Sequence, residues 1–179
     1  MSWLPSTIGL RRLPAPPVAP PLRPGARVPD VPSLPLPPHG RCLVAFIRHV
    51  GCPFAEAAVR QLRDWSELHP DTPVWVVSHG REDVTHRWLS CIGGAGGLHW
   101  VQDCDRHLYA SWGLGESRFW HFAGPASLLG VMRLWPQGIR NRMASGTRWQ
   151  RAGMFLVDSG HIVWCHVPRS AQELVLPPR

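Results

Sequence analysis

Five cysteines and ten histidines supply the side chains of this chain that could do covalent or proton chemistry, and one of them is set apart by its neighbours. Cys52 follows Arg48-His49-Val50-Gly51 and precedes Pro53, and proline suits the first turn of a helix, where its missing N–H has no partner to lose. A thiolate at that point faces unpaired N–H groups and the positive end of the helix dipole, which favours the charged, nucleophilic form of sulfur. Arg48, or Arg151 from farther along the chain, could add a cation. His49 could supply a hydrogen bond or, when protonated, a counter-charge. The pattern is that of a thiol nucleophile, whereas Cys42 falls inside an apolar run and reads as inert core.

Other uses of these residue types are weakly supported. Cys104-x-x-His107 and Cys165-His166 could be drawn towards a metal, but no pair of Cys-x-x-Cys units exists, so neither a structural zinc site nor any other metal or cofactor is expected. Gly93-Gly-Ala-Gly-Gly97 lacks the order of a dinucleotide-binding loop and the Lys-Ser/Thr of a phosphate loop, and it leads into the strand-like Leu98-His-Trp-Val101 rather than a helix.

The elements that must position Cys52 follow from periodicity. Cys42-Leu-Val-Ala-Phe-Ile47 is a continuous apolar run, which suits the central strand of a parallel sheet covered on both faces. A helix then runs to about His69, with Phe54, Ala58, Leu62 and Trp65 as its buried stripe and Glu56, Arg60, Arg63, Asp64 and Glu67 on its solvent face, several of them paired four apart. Pro70 to Pro73 ends it. Val74-Trp-Val-Val77 is a second strand, residues 82 to 91 a second helix and Leu98 to Val101 a third strand. A helix containing Leu108, Tyr109 and Trp112 is closed by Gly113. Gly153 to Asp158 and His161 to Val167 flank the two-residue turn Ser159-Gly160 and predict a hairpin.

This order predicts an α/β chain with a thioredoxin-like fold: a central mixed β-sheet flanked by helices, with a C-terminal β-hairpin. Residues 39–170 form the domain. Residues 1–38 hold twelve of the twenty prolines and read as a Pro/Arg-rich extended or disordered arm, with 24 to 36 alternatively packed along the domain edge. Residues 171–179 form a tail. The stretch 118–151 has six arginines, no acid and three tryptophans, Trp120, Trp135 and Trp149. It reads as a meandering insertion with one helix near 126 to 135, or as an anion-binding or partner face.

Composition narrows the partners. The formal charge is +7, yet all nineteen basic residues are Arg, a bias of the kind GC-rich coding produces, and no nucleic-acid-binding module is visible. No apolar run approaches the roughly 20 residues of a spanning helix, so no membrane association is expected. An odd number of unevenly spaced cysteines favours a reducing compartment, hence a cytoplasmic location.

Three segments in order, Val44-Ala-Phe-Ile-Arg-His-Val-Gly-Cys-Pro-Phe54, Val101 to Leu114 and Trp149 to Asp158, together with a Pro-Gly-x-x-x-Pro-Asp pattern at Pro24 to Asp30, resemble the peroxiredoxin-like branch of the alkyl hydroperoxide reductase and thiol-specific antioxidant family. The resemblance implies a thiol peroxidase with Cys52 as the peroxidatic cysteine, a peroxide substrate and an external thiol or thioredoxin-type reductant. A homo-oligomer is compatible with it. The family pattern has a Thr three residues before the cysteine and a Pro seven before it, where this chain has His49 and Ala45. The Cys-x-x-Cys frequent in that branch is here Cys52-Pro-Phe-Ala55, and Arg151 is one residue removed from the place of the family's active-site arginine.

A resolving thiol needs its Cα within about 7 Å of its partner's. Cys104, at the end of a strand expected to finish at the same edge as the first, is the best placed, ahead of Cys165 and Cys91. A one-cysteine mechanism is favoured. The rival reading is a non-catalytic thioredoxin-fold binding module, distinguished by a buried or ordinary Cys52 where an enzyme predicts an accessible, acidified one.

Overall fold

The computed structural model of the chain describes residues 12–118 and 124–178; Trp120 of the basic stretch lies outside them. The elements in chain order are β1 (Arg41–Phe46), α1 (Pro53–Leu68), β2 (Val74–Ser78), α2 (Glu82–Cys91), β3 (His99–Gln102), α3 (His107–Ser111), α4 (Pro125–Leu134), a 3-10 turn at Trp135–Gln137, β4 (Gly153–Asp158) and β5 (His161–His166). They build one mixed sheet of order β3-β2-β1-β4-β5. β1 is central, parallel to β2 and antiparallel to β4, so that Ala45 sits opposite Val76 on one side and Met154 on the other. The fold class is the one expected.

Strand alternation sends Leu43, Ala45 and Ile47 of the β1 segment to one face, where Val59, Leu62 and Trp65 of α1 and Trp88 and Leu89 of α2 cover them. Cys42, Val44 and Phe46 point to the other, against Leu108, Tyr109 and Trp112 around α3, with Phe155 and Ile162. Burial on both faces explains why the sequence shows an unbroken apolar run instead of alternation.

The second face is completed by the N-terminal segment. Gly25 N–H donates to Ile162 O at 2.8 Å, Val28 N–H to Gly160 O at 3.0 Å, and Ile162 N–H to Ala26 O at 2.9 Å, which extends the sheet by a short bridge at the free edge of β5. Leu34 is buried, and Leu22, Val28 and Val31 pack beside it. Farther out, the buried guanidinium of Arg106 donates to Leu13 O at 2.9 Å and Pro14 O at 2.5 Å while pairing with Glu116 at 3.3 Å. The prolines that prevent this segment from folding alone leave it extended enough to lie along an edge.

The α1 stripe is buried at Ala58, Leu62 and Trp65, with Phe54 half-buried. Two side chains expected on its solvent face depart from that expectation. Glu56 is 1 % exposed and lies between Arg60, at 2.7 Å, and Arg142, at 3.6 Å. Arg63, which the sequence paired with Glu67, instead donates to Ile92 O and Gly94 O, both at 2.9 Å, and so holds the glycine loop after α2. Side-chain spacing along one helix names the available partners; packing from elsewhere decides between them.

Candidate active site around Cys52

Cys52 is the N-cap of α1: its backbone is extended (φ −74, ψ 131) and its carbonyl accepts the Glu56 N–H at 3.0 Å. Its own N–H reaches His49 O at 3.3 Å, closing a tight turn. Gly51 within that turn has φ +86, and a Cβ there would collide with the Met143 carbonyl. The local reason for the site is therefore a strand that must reverse direction into a helix within six residues, with glycine and proline at the two positions that demand them.

The Cys52 sulfur caps no backbone N–H. Its polar neighbour is Arg48, whose Nη1 stands 3.9 Å from Sγ while Nη2 donates to Arg148 O at 2.7 Å. Arg48 is 5 % exposed. Burial lowers the affinity of its guanidinium for a proton, and the adjacent Cys52 opposes that shift. A cation held in a poorly solvated place by a carbonyl acts on the nearby sulfur more strongly than it would in water.

His49 occupies the same turn but does not serve as a counter-charge. Its ring is buried, Nδ1–H donates to Val50 O at 2.9 Å, and burial, followed by the charge of Arg48, lowers its pKa to about 3. It is neutral at pH 7. Beside it is His79, which the sequence analysis did not single out: its Nε2 accepts the Thr147 N–H at 3.2 Å, and burial likewise lowers its pKa to about 3. The sequence could not distinguish His79 from any other histidine that follows a strand.

A second omission is the segment that covers the site. Arg142 N–H donates to Gly51 O at 2.9 Å, Ser145 N–H to Val50 O at 3.2 Å, and Arg81 N–H to Ser145 Oγ at 2.9 Å. With Thr147 on His79 and Arg148 O on Arg48, residues 142–148 lie over the 48–52 turn, and Cys52 is 2 % exposed. Because the segment makes most of these contacts with its own main-chain atoms, no residue type or spacing announced them.

The remaining expected site residues are dispersed. Arg151 is half-buried and its N–H donates to Gly115 O at 3.1 Å; among the described residues no hydrogen bond or ion pair joins its side chain to Cys52. Cys104 is exposed beyond β3, with Sγ donating to Gly80 O at 3.5 Å, and β2 separates its strand from β1. Cys165 packs with the second face of the sheet and Cys91 is exposed near the end of α2. All five cysteines are free. Among the described residues no cluster of His, Cys, Asp or Glu could hold a metal ion.

A cavity of about 210 Å³ adjoins the site between α1, α4, the start of β4 and residues 168–174. Phe54, Ala58, Leu134, Met154 and Leu174 give it mainly apolar walls, and Arg48 is among its lining residues. The arrangement can hold a sulfur anion against a fixed cation next to an apolar space.

No family model and no curated protein matches the sequence. Solved structures do match. A peroxiredoxin-like protein from Aquifex aeolicus superimposes with a TM-score of 0.62 at 14 % identity, over 87 % of this chain and 82 % of the other. A thiol peroxidase from Chromobacterium violaceum gives a TM-score of 0.61 at 13 % identity, over 89 % of this chain and 84 % of the other. At such identities the likeness is one of fold, and the chain has the thioredoxin-like fold seen in these peroxiredoxin and thiol peroxidase structures.

Proposed function

We propose that the chain is a thiol peroxidase that reduces hydrogen peroxide or an organic hydroperoxide at Cys52. The observation that carries this reading is the buried Arg48 guanidinium 3.9 Å from a cysteine sulfur at the N-terminus of a sixteen-residue helix. The thiolate attacks the terminal peroxide oxygen, the O–O bond breaks, sulfur takes that oxygen as sulfenic acid, and the departing alkoxide or hydroxide takes a proton from solvent. A thiol then condenses with the sulfenic acid to a mixed disulfide with loss of water, and a second thiol releases Cys52.

Arg48 stabilises the thiolate and the negative charge that grows on the leaving oxygen. His49 and His79, neutral at pH 7, act as fixed hydrogen-bonding groups in the wall of the site. The apolar cavity beside Arg48 supports an organic body on the peroxide. That all five cysteines are free, with none paired to Cys52, supports a one-cysteine mechanism with an external thiol as reductant.

A thioredoxin-fold binding module without turnover is the second reading. Burial of Cys52 favours it, as does His49 and Ala45 standing where the resembling family has Thr and Pro. The deciding experiment incubates the purified chain with hydrogen peroxide or cumene hydroperoxide and dithiothreitol, follows peroxide loss, and traps sulfenic acid with dimedone for peptide mass spectrometry. Turnover with dimedone on Cys52, both lost in Cys52→Ser, supports the peroxidase. Peroxide that is not consumed, with Cys52 unlabelled, leaves the binding module.

A further inference from the structure

Helix α4 turns its apolar side outward. Leu128, Leu129, Met132 and Trp135 at its end are each between 54 % and 65 % exposed, and at 100° per residue they fall within about one third of the helix circumference. Most surface helices do the reverse and bury that side. The inner side is occupied by Gly130, where a Cβ would lie 2.8 Å from Gln172 Cβ and 2.9 Å from the Phe54 ring. A helix seated that closely cannot roll to hide its outer residues, so among the described residues nothing covers the apolar face.

The charges that this stretch of chain itself carries have one sign, and the nearby Glu173 is engaged with His166 and the Arg169 N–H. From Ser117 to Val157 the chain has six arginines and no carboxylate. Arg133 on the helix and Arg140 after it are exposed and form no ion pair among the described residues, while Arg142 is engaged with Glu56. A second copy meeting this face through a two-fold axis would set the same arginines against each other. A groove that engulfs a helix is also excluded, since the inner half of α4 is already seated on α1 and residue 172. A broad anionic surface satisfies both constraints.

We propose that α4 is an interfacial anchor that docks the chain on an anionic lipid surface, with Leu128, Leu129, Met132 and Trp135 in the headgroup and upper acyl region and Arg133 and Arg140 on lipid phosphates. Trp suits that depth because its ring is apolar and its N–H polar, and arginine can bury its stem while keeping its charge at the headgroups. No helix among the described residues is long and apolar enough to cross a membrane, and the contact described here lies in the plane of the surface. It does not depend on chemistry at Cys52.

The test is co-sedimentation of the full chain with phosphatidylcholine vesicles and with vesicles of phosphatidylcholine and phosphatidylserine, at low and high salt, for wild type, Met132→Ser/Trp135→Ser and Arg133→Gln/Arg140→Gln. The expected result is salt-sensitive binding to the serine-containing vesicles, reduced at least about tenfold in the first double variant, which loses two buried apolar side chains, and weakened in the second. Binding undiminished in Met132→Ser/Trp135→Ser would assign it to overall charge and overturn the proposal. Absence of vesicle binding also overturns it, as does concentration-dependent self-association or capture of polyglutamate through these residues in its place. Should a variant fail to fold, quenching of wild-type tryptophan fluorescence by brominated lipid reads the contact directly: quenching supports the anchor and its absence refutes it.

Discussion

Two cysteines lie on opposite faces of the same central sheet, and both are sealed from solvent. Cys42, on β1, is surrounded by Phe155 and Val157 of the second core, and burial together with the nearby Asp158 carboxylate pushes its thiol up to about 11. Cys52, beyond the end of β1, is buried to nearly the same degree but caps α1 with Arg48 at 3.9 Å. Burial alone therefore does not distinguish the two sulfurs. What separates them is the sign of the local field: a carboxylate stands near one sulfur, a guanidinium and a helix N-terminus near the other.

The comparison breaks most readily at Cys52. Cys52→Ser is expected to abolish peroxide consumption, while Cys42→Ala leaves the rate within about twofold; equal loss in both, measured under the same thiol supply, would mean that the two faces are not chemically distinct. Next in size, Arg48→Met is expected to slow peroxide turnover by about 100-fold or more, comparable to removing one donor that stabilises charge in a transition state, and to slow iodoacetamide alkylation of Cys52 as well. Arg151→Met is the control, with an expected change below about threefold.

Acid stability sharpens the same contrast. His49 and His79 hold pKa values of about 3 in the folded chain, against about 6.5 when unfolded. The unfolded chain therefore binds more protons below pH 6.5, and stability falls as pH drops from 6.5 towards 3. Thermal unfolding measured from pH 7.5 to 4.5 is expected to show this slope, shallower in His79→Gln. Cys42 itself contributes nothing in that window, because a thiol at about 11 stays protonated throughout. The smallest effect is on stability itself: Cys42→Ala removes a buried sulfur from a packed strand and is expected to cost about 1 kcal/mol in urea unfolding.

Most of the fold was legible because its signals are local. The apolar run at 42 to 47, the helix start at Pro53 and the turn at Ser159-Gly160 each depend on neighbouring residues; the turn has positive φ at both positions, 47° and 78°, as a tight hairpin of this kind requires. The proximity of Arg48 to Cys52 was legible for the same reason, the two being four residues apart. The burial of Glu56 was not, since the Arg142 that meets it comes from 86 positions away. Nor was the neutral state of His49, which depends on how deeply the surrounding chain encloses the turn. Cys104 was favoured as a second thiol from the strand it follows, but the sheet order inserts β2 between that strand and β1.

The segment over Cys52 is joined to the turn by backbone donors and acceptors, and two glycines set the clearance: Gly51 lies under Met143, and at Gly146 a Cβ would sit 2.5 Å from the His79 ring. The specification of this region is thus geometric more than chemical. Met143 is exposed and Ala144 half-exposed, so a library randomised at 143 and 144 should return many functional members, whereas positions 51 and 146 should accept nothing but glycine. The shape of the enclosure would be inherited through the two places where the chain has no side chain at all.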